Sequence, residues 1–257
     1  MATLTEHKPG DFCWMELGTK DQEAAKSFYG NLLGWTAQDN PMGPNDVYTM
    51  FELGGRATGG AYRVGQGSQM PEIPTHWDLY ISVSSVAETA AKAADAGGLV
   101  LKGPFDVMTY GRMAVIQDPT GTIFCVWEAK QHAGIGVNAE EGAFCWADLS
   151  TPDPAKARDF YEKVFGWGIE GEDYLHIKNG DAFIGGIQSQ AHRNPNAPPH
   201  WLIYFQTADC AGATQKATGL GAQPIVPAMT MPNVGTFSIV ADPQGAVFAL
   251  YEPLHAA

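Results

Sequence analysis

The stretch that decides the fold runs from Phe12 to Trp35 and reads FCWMELGTKDQEAAKSFYGNLLGW. It occurs again from Phe144 to Trp167 as FCWADLSTPDPAKARDFYEKVFGW, without a gap and with about half of its positions identical. A longer second block, from Thr75 to Glu128, occurs again from Pro199 to Glu252. Unrelated segments do not match at this level, so the sequence predicts a tandem duplication of one domain.

Length and composition favour two ordinary globular domains, which we place at residues 1–130 and 131–257. Of the 257 residues, 45% are hydrophobic and 17% are charged, which is the wrong composition for a disordered chain. The formal net charge of −13 repels phosphate groups. We therefore expect neither a nucleic acid nor an anionic membrane as a partner.

Targeting and cysteine patterns indicate a reduced, cytoplasmic protein. The N-terminus lacks a basic stretch followed by an apolar run, and no stretch is long and apolar enough to span a bilayer. The four cysteines show no Cys-x-x-Cys spacing, so a structural zinc site is not expected. Cys13 and Cys145 are repeat equivalents, which favours a packing role over a disulfide.

Each half of the sequence predicts a strand–helix–strand–strand–strand unit that occurs twice. The first unit begins with a strand over Phe12–Leu17 and a helix that Asp21 caps and Gly34 ends. Two such units placed side by side curl into a cup, whose inside is a natural small-molecule site. The predicted loops and the polar linker between the copies cover residues 39–45, 65–74 and 129–142.

Two landmarks carry a resemblance to a known family. One is the first block, with Asp21, Phe28-Tyr29 and Gly34-Trp35, and the other is the turn Asp118-Pro119-Thr120-Gly121 followed by Glu128. The second copy repeats both, with Asp242-Pro243-Gln244-Gly245 as its turn. The chain resembles the vicinal oxygen chelate superfamily of glyoxalases, bleomycin resistance proteins and extradiol dioxygenases, and above all its tandem two-domain glyoxalase-like or hydroxylase-like subgroup.

The resemblance implies an α+β fold: a tandem duplication of glyoxalase-like domains, each with two βαβββ modules that form a curved sheet cup. Metal-dependent members of the superfamily take four ligands, usually His and Glu, from the strands of two modules. Counted from the two landmarks, these positions fall on Trp14, Gly60 or Ala61, Asp78 and Cys125 in the first copy, and on Trp146, Gly186 or Ile187, Leu202 and Ala249 in the second.

These residues do not match the family's ligand set, so we expect no catalytic metal and no cofactor. The alternative is a divalent metal held in an altered register by His76 and Asp78 with Cys125. His76 has an equivalent, His200, and both are followed by Trp. A second interpretation is therefore that both histidines hydrogen-bond a neighbouring loop or strand at the rim of a cup.

Strand alternation places a set of aromatic and acidic side chains inside the cups. An indole at a former ligand position gives a flat surface that suits an aromatic or conjugated ligand, although the same indoles could simply fill the cups. Glu16 and Asp148 could orient a polar group or accept a proton. The candidate catalytic residues are Glu16, His76 and Asp78. The candidate ligand-binding residues are Trp14, Glu16, His76, Asp78, Tyr80, Cys125, Trp127, Trp146, Asp148, His200, Tyr204 and Tyr251.

Three functions remain open at this stage. The first is a metal-independent protein that binds a small, aromatic or conjugated metabolite. The second is an enzyme, either a glyoxalase-like lyase or an oxygenase or hydroxylase, with a metal around His76 and Asp78. The third is a scaffold with filled cups that contacts other proteins. We expect a small-molecule ligand as partner, and a monomer or a weak homodimer, because the duplication can replace the dimer of single-domain relatives.

Overall fold

The computed structural model describes residues 3–44, 46–65, 73–191 and 193–254, so most of the predicted loop over 65–74 lies outside the described residues. Both halves contain the same run of elements. The first half has β1 (Phe12–Thr19), α1 (Gln22–Leu33), β2 (Thr36–Gly43), β3 (Asp46–Leu53), β4 (Arg56–Arg63), β5 (His76–Ser82), α2 (Val86–Asp95), β6 (Leu99–Val107), β7 (Gly111–Gln117) and β8 (Ile123–Ala129). The second half has β9 (Phe144–Ser150), α3 (Pro154–Phe165), β10 (Gly168–Gly171), β11 (Leu175–Asn179), β12 (Ala182–Ile187), β13 (His200–Gln206), α4 (Cys210–Gly219), β14 (Gln223–Met231), β15 (Gly235–Ala241) and β16 (Val247–Pro253).

Each half forms one eight-stranded sheet, and the two sheets have the same topology. The strand orders are β2-β3-β4-β1-β5-β8-β7-β6 and β10-β11-β12-β9-β13-β16-β15-β14. In the centre, β1 lies antiparallel to β5 and β9 lies antiparallel to β13, which joins the two βαβββ modules of each half. The predicted α+β fold, a tandem duplication of glyoxalase-like domains, is confirmed.

The first helix of each half begins and ends as the sequence predicts. The side chains of Asp21 and Asp153 accept hydrogen bonds from backbone N–H groups of the first turn, which otherwise lack partners. Gly34 and Gly166 end the helices in the left-handed conformation, with φ of 76° and 71°. Within the described residues, no helix is long and apolar enough to cross a membrane.

The loop predicted over residues 39–45 is wrong, because most of it belongs to β2. This strand pairs antiparallel with β3, with Gln38 opposite Met50 and Asn40 opposite Tyr48. Its side chains are almost all exposed, since β2 is the edge of the sheet. An exposed edge strand needs no alternation of apolar residues, and so its sequence resembles a loop.

The two halves share one hydrophobic core and exchange hydrogen bonds between their helices and turns. Tyr29 of α1 donates to Asp242 Oδ2 at 3.0 Å, and Tyr161 of α3 donates to Asp118 Oδ2 at 3.1 Å. Asp118 and Asp242 belong to the predicted Asp-Pro-x-Gly turns, where Gly121 N bonds to Asp118 O at 3.1 Å. The turns that mark the repeat therefore also hold the halves together.

The sheet face opposite the helices is concave in each half. We call it the first cup where Trp14, Glu16, Asp78 and Tyr80 line it, and the second cup where Trp146, Asp148, Leu202 and Tyr204 line it. The register supports this assignment, because Glu16 lies opposite Asp78 and Trp14 opposite Tyr80, while Asp148 lies opposite Leu202 and Trp146 opposite Tyr204.

The predicted polar linker after β8 joins the two halves and also packs against the first cup. Ile135 N donates to Cys13 O at 2.8 Å, and Ile135 itself is buried. His132 packs edge-on against the ring of Trp14, with centroids 4.5 Å apart, and its carbonyl accepts from Trp127 Nε1 at 2.9 Å. The segment thus covers the Trp14 end of the first cup.

Candidate functional site

In the first cup, a carboxylate is held by two tyrosines and linked to a tryptophan. Tyr48 Oη donates to Glu16 Oε1 at 2.5 Å, and Tyr80 Oη donates to Glu16 Oε2 at 2.6 Å. Trp14 Nε1 donates to Tyr48 Oη at 3.0 Å. β1 supplies Trp14 and Glu16, while β3 and β5 supply the tyrosines on either side. Both carboxylate oxygens are therefore occupied by protein donors.

The second cup repeats this arrangement with a shorter acid. Tyr174 Oη donates to Asp148 Oδ1 at 2.6 Å, and Tyr204 Oη donates to Asp148 Oδ2 at 2.8 Å. Trp146 Nε1 lies 2.9 Å from Asp148 Oδ1 and 3.0 Å from Tyr174 Oη. The repeat of a whole hydrogen-bond network, rather than of single residues, indicates one inherited architecture for both cups.

Glycines on the neighbouring strands make room for two of these tyrosines. A Cβ at Gly60 would overlap Tyr48 Oη, and a Cβ at Gly186 would overlap Tyr174 Oη. Gly60 lies opposite Glu16 in β4, and Gly186 lies opposite Asp148 in β12. A tyrosine hydroxyl thus fills the space at one of the two positions where the resemblance puts a ligand, Gly60 or Ala61 in the first copy and Gly186 or Ile187 in the second.

Burial alters the acidity of both carboxyl groups. The pKa of Glu16 is raised from 4.5 to about 7, because burial outweighs the hydrogen bonds from Tyr48 and Tyr80. The nearby Asp78 carboxylate raises it further. Burial also raises the pKa of Asp148 in spite of its tyrosine and tryptophan donors. Glu16 can therefore exchange a proton near neutral pH.

A second polar cluster occurs in the first cup, formed by Tyr62, His76 and Asp78. His76 Nε2 lies 3.2 Å from Asp78 Oδ2, and Tyr62 Oη donates to the same oxygen at 2.9 Å. Burial alone would lower the pKa of His76, but the hydrogen bond to Asp78 and its charge leave that pKa raised. In the second copy, Gln188 just after β12 and Leu202 in β13 stand at the places of Tyr62 and Asp78, so this cluster has no equivalent there.

The two histidines make the loop contact that the second interpretation predicts. His76 Nδ1 lies 2.8 Å from Pro74 O, and His200 Nδ1 lies 2.9 Å from Pro198 O. A carbonyl oxygen only accepts, so Nδ1 carries the hydrogen in both rings. This repeated contact explains why both copies have a histidine at the start of the strand, whatever else His76 does.

The family's metal-ligand positions in the first cup do not present a set of donors. Trp14 is 4% exposed and packs under His132, and Gly60 has no side chain. Burial, followed by the Asp78 and Glu16 carboxylates, raises the pKa of the Cys125 thiol, so a thiolate ligand is disfavoured. Among the residues that the structure describes, no three His, Cys, Asp or Glu side chains gather in a way that could hold a metal ion. The residues present therefore do not fit the family's metal.

The remaining candidates lie along the last strands. Cys125 is buried beside Tyr80, and Trp127 is buried against the covering segment through its bond to His132 O. Tyr251 is half-buried and donates to Val234 O at 2.7 Å. All twelve predicted residues lie on strands that meet at the two concave faces, but the first cup is covered at its Trp14 end.

The second cup presents a separate apolar cluster on its concave face. Buried Leu202, Tyr204 and Ala249 form its floor. The half-buried side chains around them are Cys145, Trp146, Phe237, Ile239, Val247 and Tyr251. Small-molecule sites are commonly lined in this way, by apolar and aromatic side chains with a few placed polar groups.

Sequence reasoning missed Tyr48 and Tyr174, which hold the two carboxylates. A signal was present, because each tyrosine precedes a Gly-Gly pair at the same spacing in both copies. It also missed Gln188, which lowers the pKa of Asp148, and His132, which lies in the predicted linker. No pattern in the sequence alone places His132 against Trp14.

Comparisons with known proteins agree with this fold. A family model described as the Glyoxalase/Bleomycin resistance protein/Dioxygenase superfamily matches residues 12–126 and again 144–250. A Mycobacterium tuberculosis protein with the name "Putative glyoxylase CFP32" is 37% identical over 98% of this chain and 98% of its own. The anthracycline biosynthesis protein DnrV of Streptomyces peucetius is 30% identical over 97% of this chain and 95% of its own.

Two solved structures share the fold at low identity. The Mn(II)-bound glyoxalase from Novosphingobium aromaticivorans has a TM-score of 0.66 at 17% identity, over 96% of this chain and 83% of that one. The 2,3-dioxygenase LapB from Pseudomonas sp. KL28 has a TM-score of 0.66 at 13% identity, over 100% of this chain and 95% of that one. Similarity at this level concerns the fold and not the reaction.

Proposed function

Because the chain belongs to the glyoxalase/bleomycin resistance protein/dioxygenase superfamily, we propose that it binds a small aromatic or conjugated metabolite without a metal. The second cup is the binding site in this proposal, and Trp146 is the surface on which the ligand stacks. The protein needs no cofactor, and its partner is the small molecule alone. It acts in the cytoplasm as a monomer or a weak homodimer.

The observation that carries the proposal is the half-buried apolar cluster of the second cup. Trp146, Phe237 and Tyr251 place flat aromatic rings at its wall. Asp148, which accepts hydrogen bonds from two tyrosine hydroxyls, is the polar group beside them. Aromatic rings in contact stabilise a complex by about 0.5–1.5 kcal/mol beyond the area that they bury. The anthracycline biosynthesis proteins among the relatives support this ligand class, since anthracyclines contain fused aromatic rings.

Calorimetry with 2-naphthol, a flat bicyclic probe, tests the proposal. We expect binding at one site per chain that is the same before and after dialysis against EDTA. Trp146→Ala should weaken binding at least tenfold, whereas Trp14→Ala, which removes a ring packed under His132, should lower the melting temperature and leave the affinity within about twofold. Loss of binding after EDTA treatment, or in Trp14→Ala alone, would contradict it.

The His76–Asp78 pair favours a second candidate function, an enzyme that acts in the first cup. With a metal, this would be a lyase or dioxygenase-like enzyme that uses an altered ligand set. Asp78 Oδ2 already contacts both Tyr62 and His76, which leaves few free ligand atoms. Metal analysis of protein purified without chelator separates the two functions, because one divalent ion per chain that is lost in Asp78→Asn would favour the enzyme.

A further inference from the structure

We propose that the second cup selects its ligand by hydrogen-bond polarity. It takes a flat aromatic compound that carries a hydrogen-bond donor, such as a ring hydroxyl, and rejects one that carries only acceptors or a carboxylate. The inference rests on the proposed function, since it names the kind of ligand that this cup binds. It follows from the directions of the hydrogen bonds that the lining of the cup makes with itself.

The tyrosine hydroxyls of the second cup use their hydrogen atoms on protein acceptors. Tyr174 and Tyr204 donate to the two oxygens of Asp148, and Tyr251 donates to Val234 O. A hydroxyl has one hydrogen and two lone pairs. Toward a ligand, each of these three hydroxyls therefore presents an oxygen that accepts.

Two further polar groups on this face point the same way. Trp146 Nε1, which only donates, is shared between Asp148 Oδ1 and Tyr174 Oη. The Gln188 amide favours the ionised forms of Asp148 and Tyr204, so it lowers the pKa of both groups. His200 uses Nδ1–H on Pro198 O, and burial lowers its pKa, which leaves Nε2 as a bare acceptor.

Charge adds to this selectivity. A ligand carboxylate in the cup would approach Asp148, and like charges at short range repel strongly where water is excluded. The cation that acts on His200 is Arg193, whose Nη2 donates to Ala197 O at 3.1 Å and whose buried Nε has no hydrogen-bond partner among the described residues. Its loop thus uses one N–H of Arg193, and Arg193 is a donor near His200 that could oppose the selectivity.

Three probes with one ring system separate the possibilities: 2-naphthol, which donates and accepts, 2-methoxynaphthalene, which only accepts, and 2-naphthoate, which is an anion. Equilibrium dialysis of each against the full chain at pH 7 measures the three affinities. We expect 2-naphthol to bind about tenfold more tightly than 2-methoxynaphthalene, as one added hydrogen bond allows. We expect 2-naphthoate to bind most weakly.

Variants then assign the effect to particular atoms. Tyr204→Phe removes one of these acceptors, so the affinity for 2-naphthol should fall toward that for 2-methoxynaphthalene, which itself should not change. In Asp148→Asn the new amide N–H donates to one tyrosine oxygen and turns that hydroxyl's hydrogen toward the cup. This variant should bind 2-methoxynaphthalene more tightly and lose most of the preference. Tyr80→Phe makes the same change as Tyr204→Phe in the first cup.

The outcomes distinguish this inference from the proposed function. Equal affinity for 2-naphthol and 2-methoxynaphthalene, or tightest binding of 2-naphthoate, would overturn the polarity rule while binding in the cup stands. Loss of the preference in Tyr80→Phe instead of Tyr204→Phe would place the ligand in the first cup and overturn it as well. If none of the three probes binds, the proposed function fails and the inference fails with it.

Discussion

Glu16 lies half-buried in the first cup and keeps its proton to a higher pH in the folded protein than in the unfolded chain. Burial raises its pKa from 4.5 to about 7, although Tyr48 and Tyr80 donate to it and favour the ionised form. Because the folded state binds this proton more tightly, stability falls as pH rises between these two values. The ionised carboxylate thus lowers the stability of the fold at neutral pH and above.

The first prediction concerns the pH dependence of this cost. We compare the free energy of unfolding of the native chain with that of Glu16→Gln, which cannot ionise. Below about pH 4.5 the difference should be constant, and from about pH 4.5 to about pH 7 the native chain should lose up to about 3 kcal/mol relative to the variant. Above pH 7 the difference should be constant again. Urea unfolding across pH measures it.

The control for this prediction is the same substitution at Glu6, an exposed residue outside both sheets. The free energy of unfolding of Glu6→Gln, relative to that of the native chain, should not show this change between about pH 4.5 and about pH 7, because Glu6 does not lie inside a cup. A difference between the native chain and Glu16→Gln that stays flat, or that rises with pH, would show that the Glu16 carboxyl group is not held in a buried, protonated form.

Strand alternation predicted the residues on the inner face of β1 but not what surrounds them. Trp14 and Glu16 lie inside the first cup as expected, yet Trp14 is covered by His132, a residue more than a hundred positions away. Periodicity reports which face a side chain occupies, whereas a contact between distant segments depends on the whole chain path. Periodicity therefore could not show whether the Trp14 ring is open to a ligand. Because Trp14 is buried and Trp146 is half-buried, Trp146 is better placed to stack on a ligand.

At the scale of an element, β4 and β12 each carry a glycine that leaves room for a tyrosine side chain from the adjacent part of the sheet. Gly60 and Gly186 lie at or next to the place where the resemblance puts a ligand. Tyrosine hydroxyls, one from β3 and one from the residue just before β11, fill the space. A residue with a Cβ there would push the tyrosine away from the carboxylate. The glycine and the tyrosine thus form one structural unit.

The second prediction tests this unit in the second cup. Gly186→Ala should displace Tyr174, break its bond to Asp148, and destabilise the protein by about 1–3 kcal/mol, the usual cost of overpacking. Binding of 2-naphthol should weaken together with stability. Urea unfolding and calorimetry measure the two effects.

Gly168 supplies the matched control, since it lies in β10 of the same sheet. A Cβ there would meet Lys178 Cβ at 3.8 Å, an ordinary contact. Gly168→Ala should therefore stay within about 0.5 kcal/mol of the native chain and bind the probe equally well. Equal effects of the two substitutions would mean that Tyr174 moves at little cost, and that it does not determine the shape of the cup.

Elements with strong local signals were predictable, and those defined by pairing alone were not. Asp21 and Gly34 mark the ends of α1 because capping is a local property of the chain. β2 was not predicted, because an exposed edge strand does not require alternating apolar residues. The segment around Ile135 escaped for the related reason that it is held by backbone bonds to β1 and β4.

At the scale of the whole molecule, the duplication produces one folding unit rather than two independent domains. The cores merge, and Tyr29 and Tyr161 each cross from a helix of one half to a turn of the other. Trp77 and Trp201 donate to these tyrosines at 3.1 Å, so each crossing tyrosine both donates and accepts across buried space. The halves are therefore expected to lose structure together.

The last prediction concerns this cooperativity. Tyr161→Phe removes the bond to Asp118 and leaves Trp201 Nε1 without its acceptor, so it should lower the free energy of unfolding by about 1–3 kcal/mol. Although Tyr161 belongs to the second half, circular dichroism and tryptophan fluorescence should still report one coincident transition. Tyr110→Phe, at a side chain 49% exposed, should change stability by less than about 0.5 kcal/mol. Two separated transitions in the native chain would contradict a single unit, because each half would then be stable without the tyrosine that the other provides.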